Sequence, residues 1–177
     1  MHELPPAVIA SLGPRIENVS VVAEEPIGLG TGAATDGVTR LTVAFSSPHG
    51  HQRIAILRKR LAPINTGRHA AGAHNPRHWA YWRHEIEAYT STLLPRGPGL
   101  RAPHCYAVED DDLYLEEVEG ERPSIERAAE VLAGWQCPWG EALDHPWLSI
   151  NQLASRVAVS DLKWTNVDWL VRAGCTG

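Results

Sequence analysis

The sequence predicts an α+β fold, an antiparallel sheet with one inserted helix followed by further helices, and three patterns carry that prediction. Residues 18–61 alternate apolar and polar side chains on both sides of a Gly-rich stretch. Residues 75–97 hold an apolar stripe at helical spacing, and past residue 120 the periodicity stays helical.

Leu41, Val43 and Phe45 share one face by the strand period of two, so the first part reads as an antiparallel meander. Gly28, Gly30 and Gly32 fall between its first two strands. A backbone with so few side chains can approach phosphates closely, and it can equally form a plain turn. In "RIAILRKRL", Ala55, Leu57, Lys59 and Leu61 share a face, while Ile54, Ile56, Arg58 and Arg60 share the other. Lys59 therefore sits between two leucines. Its stem can snorkel to solvent at a strand end, or its ammonium can face inward and require an anionic partner.

Asn75 and Pro76 are suited to N-cap and first helical residue of a helix that stops at Pro95 and Gly97. Trp79, Trp82, Ile86, Tyr89 and Leu93 form its stripe, whose centre lies about 80° from Glu85 at the helical period. Glu85 is then at the edge of the buried face, where it can reach a neighbouring strand or remain solvated. "RAPHCYAVEDDDLYLEEVEG" reads as two strands around a "DDD" turn, ending in an acidic segment with Gly120. Ile125, Ala128, Ala129 and Leu132 mark one later helix, and Ile150, Leu153, Ala154 and Val157 another, with Ser149 and Gln152 as a capping box. The expected division is residues 1–118 and 119–177.

A net charge of -5 and a pI near 6.0 argue against binding to duplex nucleic acid. No apolar run approaches the roughly 20 residues that span a bilayer, and no signal-peptide pattern opens the chain, so a cytoplasmic protein without a membrane partner is expected. Cys105, Cys137 and Cys175 are odd in number and far apart, which suits reduced thiols. His49 and His51 read as a polar hairpin tip rather than a metal site. Charge is uneven: seven bases and no acid lie between Arg53 and Arg83, and eight acids and no base between Glu109 and Glu121. The acidic run is read as a solvated hairpin and linker, with attraction of a cationic substrate as the alternative.

The order of Gly-rich turn, strand lysine, glutamate-bearing helix, strand pair and acidic exit resembles the N-terminal lobe of the protein-kinase-like fold. The segment "NPRHWAYWRHEIEAYTSTLLPRGPGLRAPHCYAVEDDDLYLEEVEG" is similar to the aminoglycoside phosphotransferase and choline kinase-related small-molecule kinases. It resembles their W-x-x-E-x-x-x-Y helix, their strand here carrying Pro103, Cys105 and Tyr106, and their hinge, here Leu113 to Gly120. The similarity extends over roughly residues 20 to 155. The resemblance implies a donor, ATP, with Mg²⁺, and an unidentified small-molecule acceptor. It implies that Lys59 contacts the α- and β-phosphates, that Glu85 orients Lys59, and that Gly28, Gly30 and Gly32 cover the phosphates. Leu115, Glu116, Glu117 and Val118 would offer backbone groups to the adenine edge.

"SDLKWTNVD" places Asp161 and Asn166 five positions apart, the spacing of a kinase catalytic base and its metal-binding Asn. They are the catalytic candidates. Val159 and Ser160 stand where His and Arg or Gly belong, which favours a turn between helices. No D-F-G equivalent follows Asn166. The functional expectation is an ATP-dependent phosphotransferase homologue for a small-molecule hydroxyl, truncated or degenerate, and the alternative is a non-catalytic nucleotide-binding or interaction protein.

Overall fold

The computed structural model describes residues 3–28, 34–67, 69–91, 93–97, 99–120, 123–136 and 145–149. The fold is α+β. A short helix α1 (Pro6–Ser11) precedes strands β1 (Glu17–Gly28), β2 (Thr35–Ser47) and β3 (Gly50–Leu61). A 3₁₀ turn (Ala70–Gly72) and helix α2 (His84–Thr90) follow, then a small hairpin of β4 (Arg96–Gly97) and β5 (Leu100–Arg101). Strands β6 (Cys105–Glu109) and β7 (Asp112–Glu116) return to the sheet, and α3 (Ile125–Gln136) comes after. The main sheet is antiparallel with order β1-β2-β3-β7-β6, so α2 lies in the connection between β3 and the last strand pair.

Each face of the sheet carries an apolar cluster, and strand alternation decides which residue goes where. On one face, Leu4 and Val8 from the α1 region pack against Val21, Leu41, Val43, Phe45, Ile56 and Tyr114. On the other, Ile86 of α2 packs on Leu61, Leu113 and Leu115, with Leu57, Trp82 and Tyr89 around them. The run Leu113-Tyr114-Leu115 is buried throughout because β7 lies between β3 and β6 with a core on each side. In β6, Tyr106 and Ala107 both join the α1-side core while Cys105 and Val108 face α2. The register shift between Cys105 and Ala107 is the bulge that makes this reversal of alternation.

The meander, the strand pair around the "DDD" turn and the helix at Ile125 match the sequence-based expectation. Asp110 takes a left-handed φ of 51° at that turn. His49 and His51 flank Gly50 at the β2–β3 tip, where the His51 ring hydrogen-bonds Ser46 at 3.1 Å. The α1 helix and the β4–β5 hairpin have no counterpart in the sequence reading. At six and two residues per element they are too short for periodicity to show. The helix expected between Asn75 and Pro95 is confined to His84–Thr90. Ahead of it the chain runs through turns, because side chains capture the amides a helix would use. Asn75 Oδ1 accepts from the Arg77 amide at 3.0 Å, and His78 Nδ1 accepts from the Ala80 amide at 3.1 Å. Asn75 thus closes a local turn instead of capping the helix. The helix proposed at Ile150–Val157 lies outside the described residues.

Those turns are packed without slack. A Cβ at Gly72 would run into the His78 imidazole. Gly72→Ala should cost about 1–3 kcal/mol by overpacking, and most of that cost should vanish in a His78→Ala background. Urea denaturation of the four chains checks this; an equal cost in both backgrounds would contradict the assigned contact.

Candidate functional site

The Lys59 side chain lies between Leu57 and Leu61 on the α2-facing side of β3, opposite Val38 of β2 and Leu113 of β7. Helix α2 brings Glu85 over it, and the Lys59 ammonium donates to Glu85 Oε2 in an ion pair. With side chains 23% and 35% exposed, the pair is half out of water, so each charge needs the other more than a surface pair does. Ile86, buried against the leucines, and Tyr89, half-buried beside them, fix the angular position of Glu85 on the helix. Burial and the neighbouring Glu85 charge push the Tyr89 phenol up to about 12, so it stays neutral beside the pair. Lys59 is one of only two lysines in the chain, the other being Lys163, against fourteen arginines.

Strand alternation splits the basic run that the sequence presents as continuous. Lys59 and Arg53 are on the α2-facing side, whereas Arg58 and Arg60 belong to the opposite face. Much of the basic charge is also spent within the fold. Arg60 forms a two-pronged pair with Asp112 at 2.9 Å for each contact, and Arg83 reaches Asp111 at 2.9 Å. Arg101 of β5 holds Glu116, and Arg40 of β2 holds Glu117. Four of the eight acids between Glu109 and Glu121 are therefore partners of arginines within the fold, two on the main sheet, one before α2 and one on β5. The acidic run works as a set of internal braces, which weakens its reading as an attractor for a cationic substrate.

The segment expected to face a base begins inside β7. Leu115 is buried under α2, and the Glu116 amide donates to His104 O at 2.8 Å. The strand ends at Glu116, so Glu117 and Val118 are the residues past the ladder, with Val118 56% exposed. Glu117 continues the face of Leu113 and Leu115 and reaches across to Arg40, Nη2 to Oε2 at 2.7 Å. An open cavity of about 530 Å³ lies at this end of the sheet, lined from the Lys59 face by Arg40, Thr42, Arg53, Ala55 and Glu117 and from the opposite face by Ile54, Tyr106 and Glu116. Of the glycines, Gly28 ends β1 with a φ of 139°, a conformation other residues seldom adopt. Gly30 and Gly32, like Asp161 and Asn166, lie outside the described residues.

Among the described residues no group of three or more His, Cys, Asp or Glu could hold a metal ion, and no helix is long and apolar enough to cross a membrane. Burial pushes the Cys105 thiol up, which keeps it protonated. Comparison of the chain with family models, with curated proteins and with solved structures finds no match.

The Arg40–Glu117 pair escaped the sequence reading because its partners are 77 positions apart, and only the register Arg40↔Leu57 puts the arginine on the Lys59 face. Glu116 has a separate task. The Arg101 guanidinium and then the His104 amide, 3.0 Å from Oε2, lower its carboxyl from 4.5 to about 2. A carboxyl so depressed by folding stabilises fully above pH 4.5, and the contribution is lost as the pH falls toward 2. Glu116→Gln should therefore be less stable than the unsubstituted chain at pH 6, with the gap narrowing between pH 4.5 and 2. Urea denaturation across that range reads it, and a gap independent of pH would contradict the brace.

Proposed function

We propose that this chain carries a kinase-like nucleotide-binding lobe and acts as an ATP-dependent phosphotransferase on a small-molecule hydroxyl. One observation carries the reading: a lone lysine on an apolar strand face, ion-paired to a glutamate on the helix that follows that strand. A compact ammonium held by one carboxylate retains donors for phosphate oxygens, and a rigid neighbour keeps it from moving when they arrive. A cavity at this end of the sheet, bordered from the Lys59 face by Arg40 and Glu117, is large enough for a nucleoside and lies within the ordinary range of ligand sites.

In this reading Lys59 neutralises α- and β-phosphate oxygens, Glu85 fixes its position, and Glu117 and Val118 offer backbone groups to the base. Asp161 is the candidate to accept the acceptor hydroxyl's proton, and Asn166 the candidate metal ligand. The described residues supply no donor set for Mg²⁺, so its chemistry, which is to offset charge on the transferring phosphoryl group, is assigned to none of them. Val159 and Ser160, where a catalytic loop would carry other residues, favour a second reading in which nucleotide is bound and not turned over.

Calorimetric titration with Mg-ATP tests the binding step. Lys59→Ala should weaken affinity by about 10- to 100-fold, the worth of a charge-assisted contact to phosphate, and unchanged affinity would remove the proposal. Asp161→Asn separates the two readings. If the chain transfers phosphate, the variant should bind ATP normally and lose turnover, whereas an unaffected rate excludes Asp161 as the base.

A further inference from the structure

Arg40 occupies an unusual place for a cation. Its register partners put it between Glu25 of β1 and Leu57 of β3, on the face that carries Lys59 but two residues farther along the sheet. Two strand residues correspond to about 7 Å, so a phosphate held by Lys59 leaves Arg40 near the nucleoside end of the same ligand. Glu117 grips the guanidinium side-on: Nε and Nη2 both donate to Oε2, at 2.9 and 2.7 Å. That grip fixes the plane of the group and leaves its flat faces outside the ion pair. The side chain remains 38% exposed and borders the 530 Å³ cavity with Thr42, Ala55, Glu117 and Glu119. The surrounding charge also weighs against a phosphate role. Glu117, Glu25 and Glu119 all stabilise the Arg40 cation, and with Glu116 also on the rim an incoming polyanion would meet more carboxylates there than the two cations, Arg40 and Arg53.

We propose that Arg40 is a base-stacking residue, its guanidinium held flat by Glu117 so that a purine of the bound nucleoside triphosphate lies against it. The inference rests on the nucleotide-binding reading of Lys59 and adds to it the division of the site into a phosphate end and a base end. A planar, weakly hydrated cation stacks on an aromatic ring, and a lysine ammonium does not present such a plane.

The test compares two ligands, ATP and inorganic tripolyphosphate, titrated calorimetrically into the unsubstituted chain and into Arg40→Ala and Arg40→Lys. Both variants should bind ATP about 3- to 30-fold more weakly while tripolyphosphate affinity stays within about twofold, which also shows that the phosphate end is still folded. Equal losses for both ligands would overturn the proposal in favour of a phosphate or purely structural role, and so would ATP affinity retained in either variant. ATP binding no tighter than tripolyphosphate in the unsubstituted chain would remove the base subsite but spare Lys59. Failure to bind either ligand would overturn the nucleotide reading and this one with it.

Discussion

The Lys59 ammonium, packed between Leu57 and Leu61, needs an anionic partner within reach, and the connection between β3 and β6 is arranged to supply it. The turns from Asn75 to Arg83 set down a helix of only seven residues. Ile86 drops into the leucine cluster and Glu85, its neighbour in sequence, is left at the rim above the lysine. An isolated helix of that length would not persist in water, so its helical state depends on this packing. The ion pair and the second core are thus one construction. A change that loosens Ile86 or Leu113 displaces the carboxylate, and a change that removes the carboxylate leaves a half-buried charge without its counterion.

The same face has a second charge contact, and the two differ in kind. Lys59–Glu85 joins strand to helix next to the Leu61, Ile86, Leu113 and Leu115 cluster. Arg40–Glu117 joins strand to the segment leaving the sheet, where the cavity opens. Between them lie Leu57 and the end of β7. The arginine braces at Asp111, Asp112 and Glu116 sit elsewhere, tying the hairpin turn and the β5 edge to the sheet. Half of the acidic block is thus matched by arginines, two of them, Arg60 and Arg83, from the basic block and two, Arg40 and Arg101, from outside it.

The alternation in "RIAILRKRL" was legible because strand period and side-chain chemistry agree: it separated Lys59 from Arg58 and Arg60 correctly. The stripe Trp82, Ile86, Tyr89 was legible for the same reason, and it put Glu85 at the edge of the buried face. The helix start was misjudged because Asn75 and His78 have two options for their side-chain acceptors. Local sequence favours a cap, while the packed His78 ring against Gly72 selects turns. The Arg40–Glu117 pair and the bulge at Tyr106 depend on long-range register, which one sequence does not display.

The most direct measurement of the central claim follows Lys59 itself. With lysine labelled at its side-chain nitrogen, the chain should give two ammonium signals in nuclear magnetic resonance, from Lys59 and Lys163, and Lys59→Arg assigns them. Added Mg-ATP should shift the Lys59 signal in a saturable way, with the magnitude set by replacement of solvent by phosphate around the Glu85-paired ammonium. A Lys59 signal that stays unmoved at millimolar Mg-ATP would contradict the account and leave the ion pair as a structural brace.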